Sequence, residues 1–149
     1  MIPMSLGDVA AAVGTTCPLA SSVVVRRVST DSRDVRPGDL FFALRGVRFD
    51  GHQFAAEALA KGAVACVCDR NFHPPADPAQ FLVVDNTLDA LGRLAKHYRH
   101  AVLPVSTVVI AVTGSNGKTT TKCMIDHMLG GEFKGRASPK SFNNPAFQK

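Results

Sequence analysis

The first hundred residues alternate short apolar runs with stretches of helical periodicity. Ser5-Leu6-Gly7-Asp8 reads as a helix start, with Ser5 as N-cap and Asp8 at the third position. Ala10-Ala11-Ala12-Val13 continues that helix and Gly14 ends it. Residues 22–28 are valine-rich and predict a strand. Two polar turns follow, the second with Pro37-Gly38 in the order that suits a type II turn. Leu40-Phe41-Phe42-Ala43-Leu44 predicts a buried strand, and residues 46–51 a loop. Asp50 or Gly51 is expected to cap a helix through Lys61, with Phe54, Ala55, Ala58 and Leu59 at helical spacing and Gly62 as its stop. Residues 63–68 and 81–84 predict further strands, separated by a proline-containing loop at 71–78. Thr87 is expected to cap a helix over 88–100, with Leu88, Leu91, Leu94 and Ala95 on one face.

Strands alternating with helices indicate an α/β fold. Residues 101–106, with Pro104, read as a linker, so the expected division is a small α/β domain over 1–101 and the start of a second over 102–149. Beyond the linker, residues 107–112 are continuously apolar and β-branched, as in a parallel strand covered on both faces. A glycine loop follows, then a helix over 118–129 and Gly130-Gly131.

The chain has 149 residues, 46% of them hydrophobic and 19% charged, which excludes a disordered or collagen-like class. No apolar run approaches the roughly 20 residues of a membrane span, and Met1-Ile2-Pro3-Met4-Ser5 carries no secretory signal, so the cytoplasm is the expected compartment. Cys66 and Cys68 share a face if their run is a strand; with Cys17 and Cys123 they lack zinc-site spacing and are expected as buried, reduced thiols. The net charge of +5 is uneven: residues 102–149 hold 6 Lys and Arg against 2 Asp and Glu. A basic end suits nucleic acid or a polyphosphate equally. No RNA-binding signature accompanies it, and the composition alone does not decide; nucleic acid is set aside as a partner only on the motifs that follow.

One stretch changes the picture. Val109-Ile110-Ala111-Val112-Thr113-Gly114-Ser115-Asn116-Gly117-Lys118-Thr119-Thr120-Thr121 joins an apolar strand to a glycine turn and to a helix opening on Lys-Thr. Gly114 and Gly117 let backbone approach a phosphate. The amides of the turn and of the first helical turn converge where the helix dipole is positive. Lys118 adds a point charge for the outer phosphates, and Thr119 a hydroxyl for a Mg²⁺ bound to them. A lysine there opposes the dipole unless an anion is present. The general G-x-x-x-x-G-K-[ST] loop would need glycine at position 112, which is Val112, so this loop is the shorter G-x-x-G-K-T.

This loop resembles that of the Mur ligases, which add amino acids to the UDP-linked peptidoglycan precursor. So does Ser29-Thr30-Asp31-Ser32-Arg33-Asp34-Val35-Arg36-Pro37-Gly38-Asp39-Leu40-Phe41-Phe42-Ala43-Leu44-Arg45-Gly46, continuing through Phe49-Asp50-Gly51-His52, which is similar to the family's N-terminal UDP-sugar-binding domain. Ser141-Phe142-Asn143-Asn144 adds a third match; the Asn pair points to the member that joins D-alanyl-D-alanine to UDP-N-acetylmuramoyl-tripeptide, since the tripeptide-forming member usually has Thr-Thr there.

The resemblance implies an ATP-dependent carbon–nitrogen ligase acting with Mg²⁺, expected as a monomer. ATP would phosphorylate the terminal carboxylate of the UDP-muramoyl-tripeptide, and the amine of D-alanyl-D-alanine would displace phosphate to form an amide. It implies that Thr113, Gly114, Ser115, Asn116, Gly117, Lys118, Thr119 and Thr120 bind ATP, with Lys118 catalytic and Thr119 on the metal. It places Thr30, Ser32, Val47, Arg48 and Phe49 near the uridine diphosphate, and Asn143 and Asn144 on the muramoyl part. Ser32 also fits an ordinary turn hydroxyl, and Asp31 a turn cap. Arg33 and Arg48 fit either a diphosphate or ion pairs with Asp31 and Asp50. His52 reads as a helix-start residue, and His127 as surface or core.

The family pattern continues past the Asn pair, whereas this sequence closes on Pro145-Ala146-Phe147-Gln148-Lys149. The expectation is a fragment whose first domain folds alone and whose apolar faces around residues 108–112 and Met124, Ile125, Met128 and Leu129 lack neighbours. The rival readings are a free-standing UDP-sugar-binding module, another P-loop enzyme such as a small kinase, and a nucleic-acid binder with steep salt dependence. The 149-residue chain is expected to show no ATP- and D-alanyl-D-alanine-dependent phosphate release; clear turnover would refute this.

Overall fold

Ser5 sets the first helix. Its hydroxyl accepts from the Asp8 amide at 3.0 Å and donates to the Asp8 carboxylate at 2.7 Å, the N-cap that the sequence predicts. In the computed structural model, which describes residues 1–17, 19–46, 49–73 and 78–138, the helix α1 spans Leu6–Val13 and ends on Gly14 at φ 80°. The chain forms two compact units, Met1–Val105 and Ser106–Lys149.

In the first unit, the predicted strand over 22–28 is two strands in two sheets. β2 (Val24–Val25) pairs antiparallel with β1 (Met4–Ser5), and β3 (Arg27–Ser29) opens a four-stranded parallel sheet. Arg26 marks the break, its amide donating to Gly38 O at 2.9 Å. The parallel sheet runs β3, β4 (Asp39–Phe42), β5 (Ala65–Asp69), β6 (Phe81–Val84). The helix α2 (Ala55–Ala60) lies between β4 and β5 and follows a 3₁₀ turn, Gly51–Phe54, capped by Asp50. After β6 comes α3 (Thr87–His97), continued by a π turn over Tyr98–Val102. Its cap is Asn86 and not Thr87: the Asn86 side chain accepts from the amides of Leu88 and Asp89 at 2.9 and 3.1 Å. Asn86 is extended while Thr87 is already helical and buried, so Asn86 holds the capping geometry.

Side chains alternate across the sheet and fill two cores. Leu40, Phe42, Ala65, Val67, Leu82 and Val84 face α1 and α3, meeting Leu6, Val9, Val13, Ala90 and Leu94. Phe41, Cys66, Cys68 and Phe81 face the other way, against Ala55 and Ala58 of α2. The expectation that Cys66 and Cys68 share a buried face holds. Cys17 is only half-buried and Cys123 is exposed, which corrects the expectation for those two: neither stands on a strand covered by a helix. Burial pushes the Cys66 thiol up and that of Cys68 up to about 11.

The turn between β3 and β4 is held by ions. Asp39, almost fully buried, accepts a fork of bonds from Arg27, at 3.0 Å from Nε and 2.6 Å from Nη2, and one from the Arg36 amide at 2.9 Å. Arg27 Nη1 also reaches Asp34 at 2.8 Å. The Asp39 amide closes the Pro37-Gly38 turn on Arg36 O at 3.0 Å, with Gly38 at φ 90°.

In the second unit, α4 spans Lys118–Leu129, as the sequence predicts. Residues 107–112 form no strand, against expectation. A strand needs a neighbour for its amides and carbonyls, and Val108, Val109 and Ile110 stand 81, 61 and 53% exposed. Met124, Met128, Leu129 and Phe133 are exposed as well. Among the described residues, no helix is long and apolar enough to cross a membrane.

Three outcomes follow from this packing. Arg27→Ala leaves the Asp39 carboxylate buried without its partner and should cost about 3 kcal/mol in urea unfolding. The Arg27 bond, then its charge, then Arg36 hold the Asp34 carboxyl below its usual 3.8, so its contribution is present above that pH and is lost as pH falls through the lower folded value. Arg27→Ala should flatten this acid limb. In thiol titration of the native protein, Cys123 should react first and Cys17 more slowly, with Cys66 and Cys68 reacting only in denaturant.

Candidate functional site

In a parallel sheet every strand ends at the same edge, and ligands of open α/β sheets bind there. Ser29, Phe42, Asp69 and Val84 are the last residues of the four strands. Thr30 follows β3 directly and is exposed. Ser32 opens a 3₁₀ turn, Ser32–Asp34, and is buried at 8% exposure. Its carbonyl accepts from Lys61 Nζ at 2.9 Å, which ties the turn to the end of α2. Asp31 caps the turn through the Arg33 amide at 3.0 Å and pairs with the Arg33 guanidinium at 2.7 Å, the ion-pair alternative for Arg33.

After β4, residues 44–46 and 49–51 run antiparallel as the two legs of a hairpin. Its legs are joined by Gly51 N to Leu44 O at 2.9 Å, by a β-bridge between Arg45 and Asp50, and by Gly46 N to Phe49 O at 2.8 Å. A Cβ on Gly51 would stand 2.8 Å from both Leu44 N and Leu44 O, so only glycine fits this crossing of backbones. Phe49 is 75% exposed on the hairpin. Val47 and Arg48 lie outside the described residues, as do Asn143 and Asn144.

Four side chains clamp the hairpin to the sheet edge. His52 is buried; its ring Nδ1 lies 2.5 Å from Asp50 Oδ1, and its Nε2 accepts from the Asp69 amide at 3.0 Å. That acceptance leaves the ring proton on Nδ1, donated to Asp50. Arg45 bridges the other side, reaching Asp50 Oδ2 at 3.2 Å and Asp69 Oδ2 at 3.3 Å. Burial pushes the Asp50 carboxyl up, but the His52 amide, the His52 ring and Arg45 together bring it below its ordinary range. The sequence reading has Asp50 as a cap and His52 as a helix-start residue, and both are. It misses Arg45 and Asp69, whose pairing across the fold leaves no local signal.

The second candidate site is the corner before α4. Gly114 and Gly117 stand at φ 144° and 76°. Gly117 is the N-cap and gives no side-chain cap, and the first helical bond runs from Thr121 N to Gly117 O at 2.9 Å. The first-turn amides therefore face the loop along the axis. Lys118 Nζ folds back onto Gly114 O at 2.5 Å and Ser115 O at 3.2 Å. Thr113, Ser115, Asn116, Thr119 and Thr120 are exposed around it, and His127 is exposed farther along α4. The arrangement is a set of exposed first-turn backbone donors beside a cation, suited to a polyphosphate.

Comparison with known proteins bears on both sites. Residues 24–99 match the Mur ligase family, catalytic domain, and residues 112–145 the Mur ligase middle domain. The chain is 40% identical over 146 residues to the UDP-N-acetylmuramoyl-tripeptide–D-alanyl-D-alanine ligase of Bacillus subtilis (strain 168), covering 97% of this chain and 31% of that protein. It is 40% identical over 105 residues to the UDP-N-acetylmuramoyl-L-alanyl-D-glutamate–2,6-diaminopimelate ligase of Aquifex aeolicus (strain VF5), covering 70% of this chain and 21% of that protein. A crystal structure of MurF from Acinetobacter baumannii superposes with a TM-score of 0.72 at 34% identity, over 87% of this chain and 28% of that one. The MurF ligase of Thermotoga maritima in complex with ADP does so with a TM-score of 0.56 at 38% identity, over 72% and 24%. The chain spans less than a third of the length of these relatives. With a family match over half its residues, on a parallel sheet and a glycine–lysine corner of this form, the chain belongs to the Mur ligase family.

Proposed function

We propose that this chain supplies the sugar-nucleotide-binding domain and the ATP-binding corner of a cytoplasmic, monomeric ligase that joins D-alanyl-D-alanine to UDP-N-acetylmuramoyl-tripeptide through an acyl phosphate. Residues 1–101 hold the UDP-muramoyl substrate, with Thr30, Ser32, Val47, Arg48 and Phe49 near the uridine diphosphate. Residues 102–149 hold ATP on residues 113–120, with Asn143 and Asn144 on the muramoyl part. The supporting observation is the corner itself: two glycines at positive φ, a helix that starts on them without a side-chain cap, and Lys118 folded over the loop.

In this reading the loop and first-turn amides orient the triphosphate. Lys118 moves from the Gly114 and Ser115 carbonyls to the outer phosphates. It offsets the repulsion between the attacking carboxylate and the phosphoryl group as charge shifts in the transition state. Among the described residues no cluster of three His, Cys, Asp or Glu could hold a metal. The exposed Thr119 hydroxyl would help to hold a Mg²⁺, which would supply further charge neutralisation.

The identity to ligases that add 2,6-diaminopimelate favours a second reading, addition of the third amino acid. The Asn143-Asn144 pair supports the first. Calorimetry with the two muramoyl substrates separates them: the tripeptide form should bind more tightly than the UDP-N-acetylmuramoyl-L-alanyl-D-glutamate form, and the reverse order would favour the second reading. With Mg-ATP, Lys118→Ala should weaken binding at least about tenfold, roughly 1.4 kcal/mol; unchanged affinity would remove the corner from the proposal.

A further inference from the structure

Arg45 stands three residues past the end of β4, and its place there is not set by β4 alone. Two carboxylates hold its guanidinium, Asp50 at 3.2 Å and Asp69 at 3.3 Å, and its side chain stays 53% exposed. Those carboxylates come from different segments, one on the hairpin leg and one at the end of β5. The group that sets their relation is His52. It takes the Asp69 amide on Nε2 and gives its Nδ1 proton to Asp50, and its own amide also donates to Asp50 Oδ1 at 3.0 Å. Its ring packs on Phe72 at 5.3 Å between centroids, and Phe72 on Phe81 at 5.7 Å, so the imidazole has little room to turn. The four residues close a ring of three hydrogen-bonded links and one ion pair, that of Arg45 with Asp69.

We propose that Arg45 is a further binding residue for the anionic part of the sugar-nucleotide, and that His52 is its positioning residue, acting through Asp50 and Asp69. This rests on the reading that residues 1–101 hold a UDP-linked substrate. An arginine pinned on one edge by two carboxylates presents its remaining N–H groups in a fixed direction, and a planar fork loses less freedom on binding a diphosphate than a mobile lysine does. Two carboxylates against one guanidinium leave no net positive charge here, so Arg45 offers the diphosphate hydrogen-bond direction and not net attraction. His52 has no exposed edge for the ligand, being 4% exposed. Its effect on binding must pass through the ring it closes.

The test is a double-mutant cycle on the full 149-residue chain, read by calorimetry with UDP-N-acetylmuramoyl-tripeptide. Arg45→Ala removes the half-exposed binding group. His52→Gln keeps an acceptor for the Asp69 amide and loses the donor to Asp50; His52→Asn keeps the donor and loses the acceptor. Each single change should weaken binding, by about tenfold for Arg45→Ala and about three- to tenfold for the His52 variants. Combining either His52 variant with Arg45→Ala should add less than about twofold, because both act through one guanidinium. Thermal unfolding is recorded on every variant, and either His52 variant that melts as a native protein suffices. Should both fail to fold, or should the losses multiply, His52 is a general fold residue and the positioning role is refuted. If Arg45→Ala binds as the wild type does, the binding role falls. Absence of binding by the wild type would instead overturn the sugar-nucleotide reading itself.

Discussion

A parallel sheet has to be covered on both faces, and the first unit is organised around that requirement. All four residues of β4 are buried. Leu40 and Phe42 go to the side of α1 and α3, while Phe41 goes to the side of α2. β5 repeats the alternation with Ala65 and Val67 on one side and Cys66 and Cys68 on the other. Covering both faces with helices makes each strand re-enter in the same direction. The carboxyl ends then gather at one edge, which brings together the turn after Ser29, the hairpin after Phe42 and the end of β5 at Asp69. Concealment of apolar side chains and assembly of a polar edge are thus one geometric event.

Local chemistry was readable along the chain wherever it was strong. Ser5 with Asp8, Gly14, the Pro37-Gly38 turn, β6 and both ends of α4 lie where the residues imply. These features rest on hydrogen bonds or dihedral preferences within a few residues. The break at Arg26 was not read, because Arg26-Arg27 interrupts the valines only briefly and a single strand with outward-facing arginines has the same local pattern. The shift of the α3 cap from Thr87 to Asn86 is a contest between two competent residues, settled by burial of Thr87. At the polar edge, Thr30, Ser32 and Phe49 were readable as candidates, and the network behind them was not. Arg45 and His52 meet Asp69 only after β5 has paired with β4, a tertiary fact with no periodic signature.

The second unit shows the same division from the other side. α4 forms over its predicted range because a helix satisfies its own backbone. Residues 107–112 carry an equally clear apolar signal, yet a strand borrows its hydrogen bonds from neighbours. Periodicity reports what a segment would bury, and partners decide whether it becomes a strand. The glycine corner needs neither, since Gly114 and Gly117 set its backbone directly.

Gly51 shows how narrow such a requirement can be. Its backbone is not in a left-handed conformation that other residues avoid; what excludes them is the Leu44 peptide, lying where any side chain would begin. Even a methyl group has to push two backbones apart at the foot of the hairpin. Neutral drift at that codon is therefore confined to its synonymous glycine triplets, whatever happens to the surface residues that the hairpin carries.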